Sequence, residues 1–226
     1  MSLIHFSRSK GAKVEVIALD VTDRSAIAAA VEKADTMKPI DCMIANAGVS
    51  LGMLNLKPNP NDMFKALLPL TDVNVCGVYA TVAAIAPLMC KRRKGQIVIM
   101  SSSAGNFPMW DEPSYTASKV AVRYFGESLR PLLRNYKVGI SVVTPWFVKS
   151  GSITDKLTKG KPETLPFVVS EKEAMRITID GIQRNVAVIG FPFIPQSFTY
   201  FLGTLPLGLR SSVSYPYYQQ NGFITI

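Results

Sequence analysis

Histidine is nearly absent from this sequence of 226 residues, where His5 stands alone. A Ser–His–Asp hydrolase would have to recruit its base from the first few residues, so that chemistry fits poorly. Cysteine is scarce as well. Cys42, Cys76 and Cys90 lie in apolar stretches without metal-ligand spacing, and are expected to be buried thiols of a reducing, cytoplasmic compartment, with no metal site. No uninterrupted apolar run approaches the roughly 18 residues that suggest a spanning helix. The first residues also lack the continuous apolar stretch of a secretion signal. A single glycine, Gly11, precedes Asn46, so no glycine-rich phosphate cradle is found there. Acidic side chains are outnumbered, 16 against 25 basic ones, for a net charge of +9. The basic residues are scattered, and their one cluster, Lys91–Lys94, suits the C-terminal end of a helix. No nucleic-acid partner is expected, and a diphosphate cofactor is sufficient reason for some of the positive field.

Against these absences stands IVIMSSSAGNFPMWDEPSYTASK, from Ile97 to Lys119. A short apolar strand, Ile97–Met100, breaks into small polar residues, and a helix is predicted to open at Ser114–Tyr115. Tyr115 and Lys119 are four apart and share a helix face. An ammonium beside a phenol favours the phenolate, so the Tyr115 pKa is expected to fall below its usual value near 10. The tyrosine then becomes a usable general acid or base. Ser101, Ser102 and Ser103 are all candidates to share its substrate oxygen.

This combination resembles the short-chain dehydrogenase/reductase family, with its serine followed by Tyr-x-x-x-Lys, over about Val14 to Ser150. The resemblance implies a Rossmann-type α/β fold, a doubly wound parallel sheet with helices on both faces, in one domain spanning 1–226. The family spacing selects Ser102. Asn46-Ala47-Gly48 follows a predicted strand, Ile40–Ala45, and matches the family motif beside the cofactor ribose, Gly48 allowing a sharp turn. Asp20 and Val21, ending a predicted buried strand Lys13–Asp20, match the pair that borders the adenine ring. Asn74, within a long helix predicted over about Asp62–Cys90, matches an asparagine carried on a locally bulged helix and binding a relay water. The implied catalytic set is Asn74, Ser102, Tyr115 and Lys119. The implied cofactor set is Asp20, Val21, Asn46, Ala47, Gly48, Tyr115, Lys119, Pro145 and Ser150. Trp146 stands where the family has glycine after Pro145, a candidate wall for the substrate pocket, and Ser150 replaces a threonine at the nicotinamide.

The resemblance implies hydride transfer between NADP or NAD and a ketone or alcohol, and a homodimer or homotetramer built through the Tyr115 helix and the long helix before it. The missing Gly-rich turn is read as a truncation, or as a deletion near Ser9–Lys10. Arg8 would then lie where a basic residue pairs with a 2′-phosphate, favouring NADP. The alternative is a non-catalytic scaffold that reuses the fold. Residues 151–166 read as a substrate lid and 191–226 as an apolar extension. That extension can cover an apolar substrate, pack on the body or a partner subunit, or rest on a membrane surface. Helices are further predicted over Ser25–Met37 and from Ser170, and a proline kink at Pro131.

Overall fold

The computed structural model describes residues 11–50, 60–109, 112–149 and 165–212. Four parallel strands form its centre: β1 (Cys42–Ala45), β2 (Gly95–Met100), β3 (Val138–Pro145) and β6 (Val188–Phe191), hydrogen-bonded in that order. A small parallel pair, β4 (Val148–Lys149) with β5 (Val169–Ser170), lies beyond the end of β3. The longer helices are α1 (Arg24–Met37), α2 (Pro60–Thr71), α3 (Gly77–Arg92), α4 (Pro113–Arg134), α5 (Glu171–Gln183) and α6 (Phe193–Thr204).

Parallel strands need crossovers, and the helices that supply them cover both faces of the sheet. The strand period of two sorts β2 accordingly. Ile97 and Ile99 join Ile140, Val82, Ile85, Met89 and Val122 under α3 and α4, while Val98 joins Val143 and Ile189 on the opposite face, under α5. This is the expected Rossmann-like α/β fold with a parallel sheet and flanking helices.

Helix starts follow local chemistry. Asp23 caps α1, its carboxylate accepting from Ala26 N at 2.9 Å. Ser170 caps α5 by accepting from Glu173 N at 3.3 Å. The reciprocal half of a capping box is not made, because the Glu173 carboxylate pairs with Arg176 at 2.8 Å. Between α2 and α3 the helix widens into a π-turn at Asp72–Cys76. The run from Phe64 to Arg92 is therefore continuous, and by length and composition it could cross a membrane. The expectation that no apolar run approaches spanning length fails here, because Val75–Cys90 runs 16 residues without a charged side chain. Val75, Val78, Val82, Ile85 and Met89 pack it into the core. Helix α4 continues three residues past Pro131 to Arg134, so the proline does not stop it.

Two expectations fail at the N-terminal side. The stretch Lys13–Asp20 belongs to neither sheet, and Val16, Ile17 and Leu19 are exposed. A strand needs a hydrogen-bonding neighbour, and none of the described strands flanks this one. The cysteines are not core thiols either: Cys42 is exposed and Cys76 and Cys90 half-buried. Cys42 and Ile44 lie on β1, which pairs with β2 alone among the described strands.

Candidate active site

The C-terminal end of β2 delivers its chain to the base of α4, and the site forms there. Ser102, in extended conformation, caps a 3₁₀ turn at Ser103–Gly105, its hydroxyl accepting from Ala104 N at 3.2 Å. Ser101 is spent differently, donating to the Lys119 carbonyl at 2.8 Å, and Ser103 is buried in the turn. Of the three serines, Ser102 is the one near enough to the Tyr115 phenol to lower its pKa.

Tyr115 lies in the first turn of α4, opened by Pro113. Part of the residue meets solvent, but its hydroxyl is enclosed by protein. Burial pushes the phenol up to about 12, with the Ser102 hydroxyl opposing and the Glu112 carboxylate adding to the rise. Lys119 is 6% exposed. Its Nζ stands 5.5 Å from the centre of the Tyr115 ring and donates to the Met100 carbonyl at 3.1 Å. Burial lowers its pKa to about 8. The expected acidification of Tyr115 by Lys119 is thus overturned in this arrangement, because desolvation disfavours the charged form of both partners and outweighs their attraction.

Asn74 is completely buried on the π-turn. Its Nδ2 donates to the Val49 carbonyl at 2.8 Å and to Ser118 Oγ at 3.0 Å, while Oδ1 accepts from Val49 N at 2.7 Å. Both amide hydrogens are therefore committed, and one Oδ1 lone pair remains for a water. Ser118, which sequence reasoning passed over, donates onward to the Tyr115 carbonyl at 2.7 Å. The polar path from Val49 to the tyrosine turn is continuous. Its signal in the sequence was spacing: Ser118 follows Tyr115 by three and shares its helix face.

Asn46, Ala47 and Gly48 lie just past the end of β1, and Gly48 borders this cluster. A Cβ added at Gly48 would lie 3.3 Å from Lys119 Nζ and 3.4 Å from Asn74 Oδ1. Its φ is not among the left-handed values of the described glycines, so glycine here gives space where a turn was expected. Val21 packs on Gly77 at the head of α3, where an added Cβ would meet it at 3.1 Å. Asp20 is exposed and its Oδ1 accepts from Thr22 N and Oγ1 at 2.9 and 2.8 Å. These bonds hold its pKa below the usual carboxylate value, leaving Oδ2 as the free acceptor. Pro145 ends β3. Trp146 turns its indole N–H to the Pro166 carbonyl at 3.0 Å and meets Phe147 edge-on. Arg8, Ser150 and residues 151–164 of the expected lid lie outside the described residues, as does 213–226 of the extension. Among the described residues no cluster of His, Cys, Asp or Glu suits a metal.

A nicotinamide nucleotide fits the residues present. Lys119 spends one N–H on Met100 and keeps two donors, and the bare backbone of Gly48 leaves room beside its nitrogen.

The comparisons agree with this geometry. A model of the short chain dehydrogenase family matches residues 3–161. An uncharacterized oxidoreductase of Myxococcus xanthus is 34% identical over 188 residues, 83% of this chain and 71% of that protein. The 3-dehydrosphinganine reductase of Danio rerio is 28% identical over 206 residues, 88% of this chain and 59% of that protein. The frog (Xenopus tropicalis) dehydrogenase/reductase SDR family member 7B is matched over 46% of its length, so the chain spans about half to two thirds of several curated relatives. Among solved structures, a short-chain dehydrogenase from Sphingobium yanoikuyae in complex with NADPH superposes with a TM-score of 0.70, at 21% identity, over 93% of this chain and 78% of that one. The chain belongs to the short-chain dehydrogenase family of oxidoreductases.

Proposed function

We propose that this protein is an NAD(P)-dependent oxidoreductase that reduces an apolar ketone to its alcohol. The observation that carries the reading is the triplet of Ser102, Tyr115 and Lys119, a phenol with a serine hydroxyl beside it and an ammonium 5.5 Å from the centre of its ring. Tyr115 holds its proton at neutral pH, being pushed up to about 12, and hands it to the carbonyl oxygen as that oxygen gains charge. Ser102 donates to the same oxygen and orients it. The cation of Lys119 steadies the phenolate left behind, and its two remaining donors hold the ribose of the nucleotide. When bound, that nucleotide supplies the hydride. Asn74 locks Val49 and leaves one Oδ1 lone pair to a relay water. Asp20 and Val21 would border the adenine ring, Asn46–Gly48 the cofactor ribose and Pro145 the nicotinamide side.

NADP is favoured over NAD because three solved relatives in fold are complexes with NADPH or NADP. An apolar, lipid-like substrate is supported by Trp146 and Phe147 at the end of β3 and by exposed Phe198 and Phe201 on α6. The name of the zebrafish relative, 3-dehydrosphinganine reductase, supports the same class. Exposed Phe64 and Leu68 on α2 and Tyr124 and Leu132 on α4 support a homo-oligomer formed through those helices.

Titration of the intrinsic fluorescence with NADPH and NADH in parallel measures nucleotide affinity, and NADPH consumption with long-chain ketones measures turnover. Tyr115→Phe is expected to lower kcat at least about a thousandfold, with nucleotide affinity within about twofold of the parent. Retained turnover would sink the assignment.

A further inference from the structure

Four residues beyond Lys119, α4 buries a second cation. Arg123 is 5% exposed, although no substrate role calls for it. Its Nη1 donates to the Gly105 carbonyl at 3.1 Å and to Asn106 Oδ1 at 2.7 Å, its Nε to Glu127 at 2.7 Å, and its Nη2 to the Tyr200 hydroxyl. The guanidinium also lies over the Tyr200 ring, 4.3 Å from its centre. Burying a charge is costly unless its donors find acceptors, and here the acceptors other than Glu127 of α4 itself belong to two separate elements. Gly105 and Asn106 close the turn that begins at Ser102. Tyr200 belongs to α6.

The second half of the junction is equally saturated. Asn106 Nδ2 donates to Gln196 Oε1 at 2.8 Å and Thr199 Oγ1 at 3.0 Å. Gln196 in turn donates to the Thr144 carbonyl at the end of β3. Close packing seals the contact. A Cβ at Gly105 would lie 3.0 Å from the Lys119 carbonyl, and one at Gly203 would collide with the Asn106 carbonyl. A planar fork with five donors suits this bridging, and a lysine's single nitrogen could not reach all four acceptors.

We propose that Arg123 is a positioning residue which, together with Asn106 and Tyr200, clamps the Ser102 turn between α4 and α6 and so keeps the Ser102 hydroxyl on Tyr115. The proposal rests on the catalytic reading above. It makes α6, which among the described residues hydrogen-bonds neither Ser102 nor Tyr115, a support of the reactive geometry. Helix α4 thereby carries chemistry at Tyr115 and Lys119 and anchorage one turn further on.

The test uses the full chain and a readout that needs no substrate. Amide exchange is measured at Ala104, Gly105 and Asn106, whose N–H groups close the turn on Ser102 and Ser103. In parallel, the Tyr115 Cζ resonance is followed in protein labelled with [ζ-13C]tyrosine. The groups around that phenol are Ser102, Lys119 and Glu112. Arg123→Met is expected to speed exchange at those three amides about tenfold or more while amides of β3 keep their protection. It also moves the Tyr115 resonance in the direction that Ser102→Ala moves it, and Arg123→Lys recovers part of both effects. With NADPH and a long-chain ketone, kcat falls about a hundredfold and KM changes less than about threefold. Should Arg123→Met fail to fold, Tyr200→Phe removes one acceptor and keeps the ring, with a smaller effect in the same direction. Unchanged exchange and an unmoved Tyr115 resonance overturn the proposal, even where Tyr115→Phe is inactive. An active Tyr115→Phe overturns the catalytic reading alone.

Discussion

Two stretches of this chain read alike as strings of letters and differ in space. Ile97–Met100 and Val14–Leu19 are both short, rich in β-branched residues and followed by polar turn residues. The first is sandwiched between β1 and β3 with helices on both faces, and Ile97, Val98 and Ile99 are wholly shielded from solvent. The second belongs to neither described sheet and exposes Val16 and Ile17. Strand propensity expresses fit to a pleated, covered surface. A sequence supplies the fit, and only the assembled neighbours supply the surface.

The contrast can be broken most forcefully from the buried side. Ile99→Ala should cost about 3–4 kcal/mol, because it removes three heavy atoms from a fully packed layer and leaves a cavity. Urea unfolding would register this as a large fall in midpoint, and a shift under 1 kcal/mol would mean that the β2 layer is loose. Next in size is Lys119→Met. The pKa of Lys119 is lowered from its ordinary 10.5 to about 8. Its contribution to stability is present in full above 10.5 and is lost as pH falls through 8. The variant should be about 2 kcal/mol more stable than the parent at pH 7, after allowing for the Met100 carbonyl left unpaired. That advantage should fade between pH 8 and 10.5, and thermal melts across this range check the sign. The smallest effect belongs to the open side. Val16→Ser should change stability by no more than about 0.5 kcal/mol, and a loss above 1 kcal/mol would show that something covers Val16 in solution.

The same contrast explains what was legible. The placement of the motif residues was legible because it is local: Tyr115 and Lys119 share a face by helix period, and Ser102 was picked by the family's spacing to the tyrosine. The bulge under Asn74 came with the family likeness and appears as the π-turn. What the sequence misstated depends on surroundings. The acidity of Tyr115 was read from its nearest charge, whereas enclosure outweighs that charge. The cysteines were judged by apolar neighbours along the chain, and Cys42 lies on a strand with one described partner. Arg123 went unnoticed because an arginine reads as surface until it is seen on the inward face of a helix. Its interval from Lys119 was the available sign, since Tyr115, Lys119 and Arg123 recur every four residues, almost one turn.

That interval makes α4 a ruler. Tyr115, Lys119 and Arg123 are spaced along one rigid rod, so their mutual placement is fixed by counting residues. Deleting or adding one residue between Lys119 and Arg123 would rotate everything beyond it by about 100°, swinging the guanidinium off the Ser102 turn while leaving Tyr115 and Lys119 in place. Substitutions along this helix are graded in their effects. A change in its length would be all or nothing.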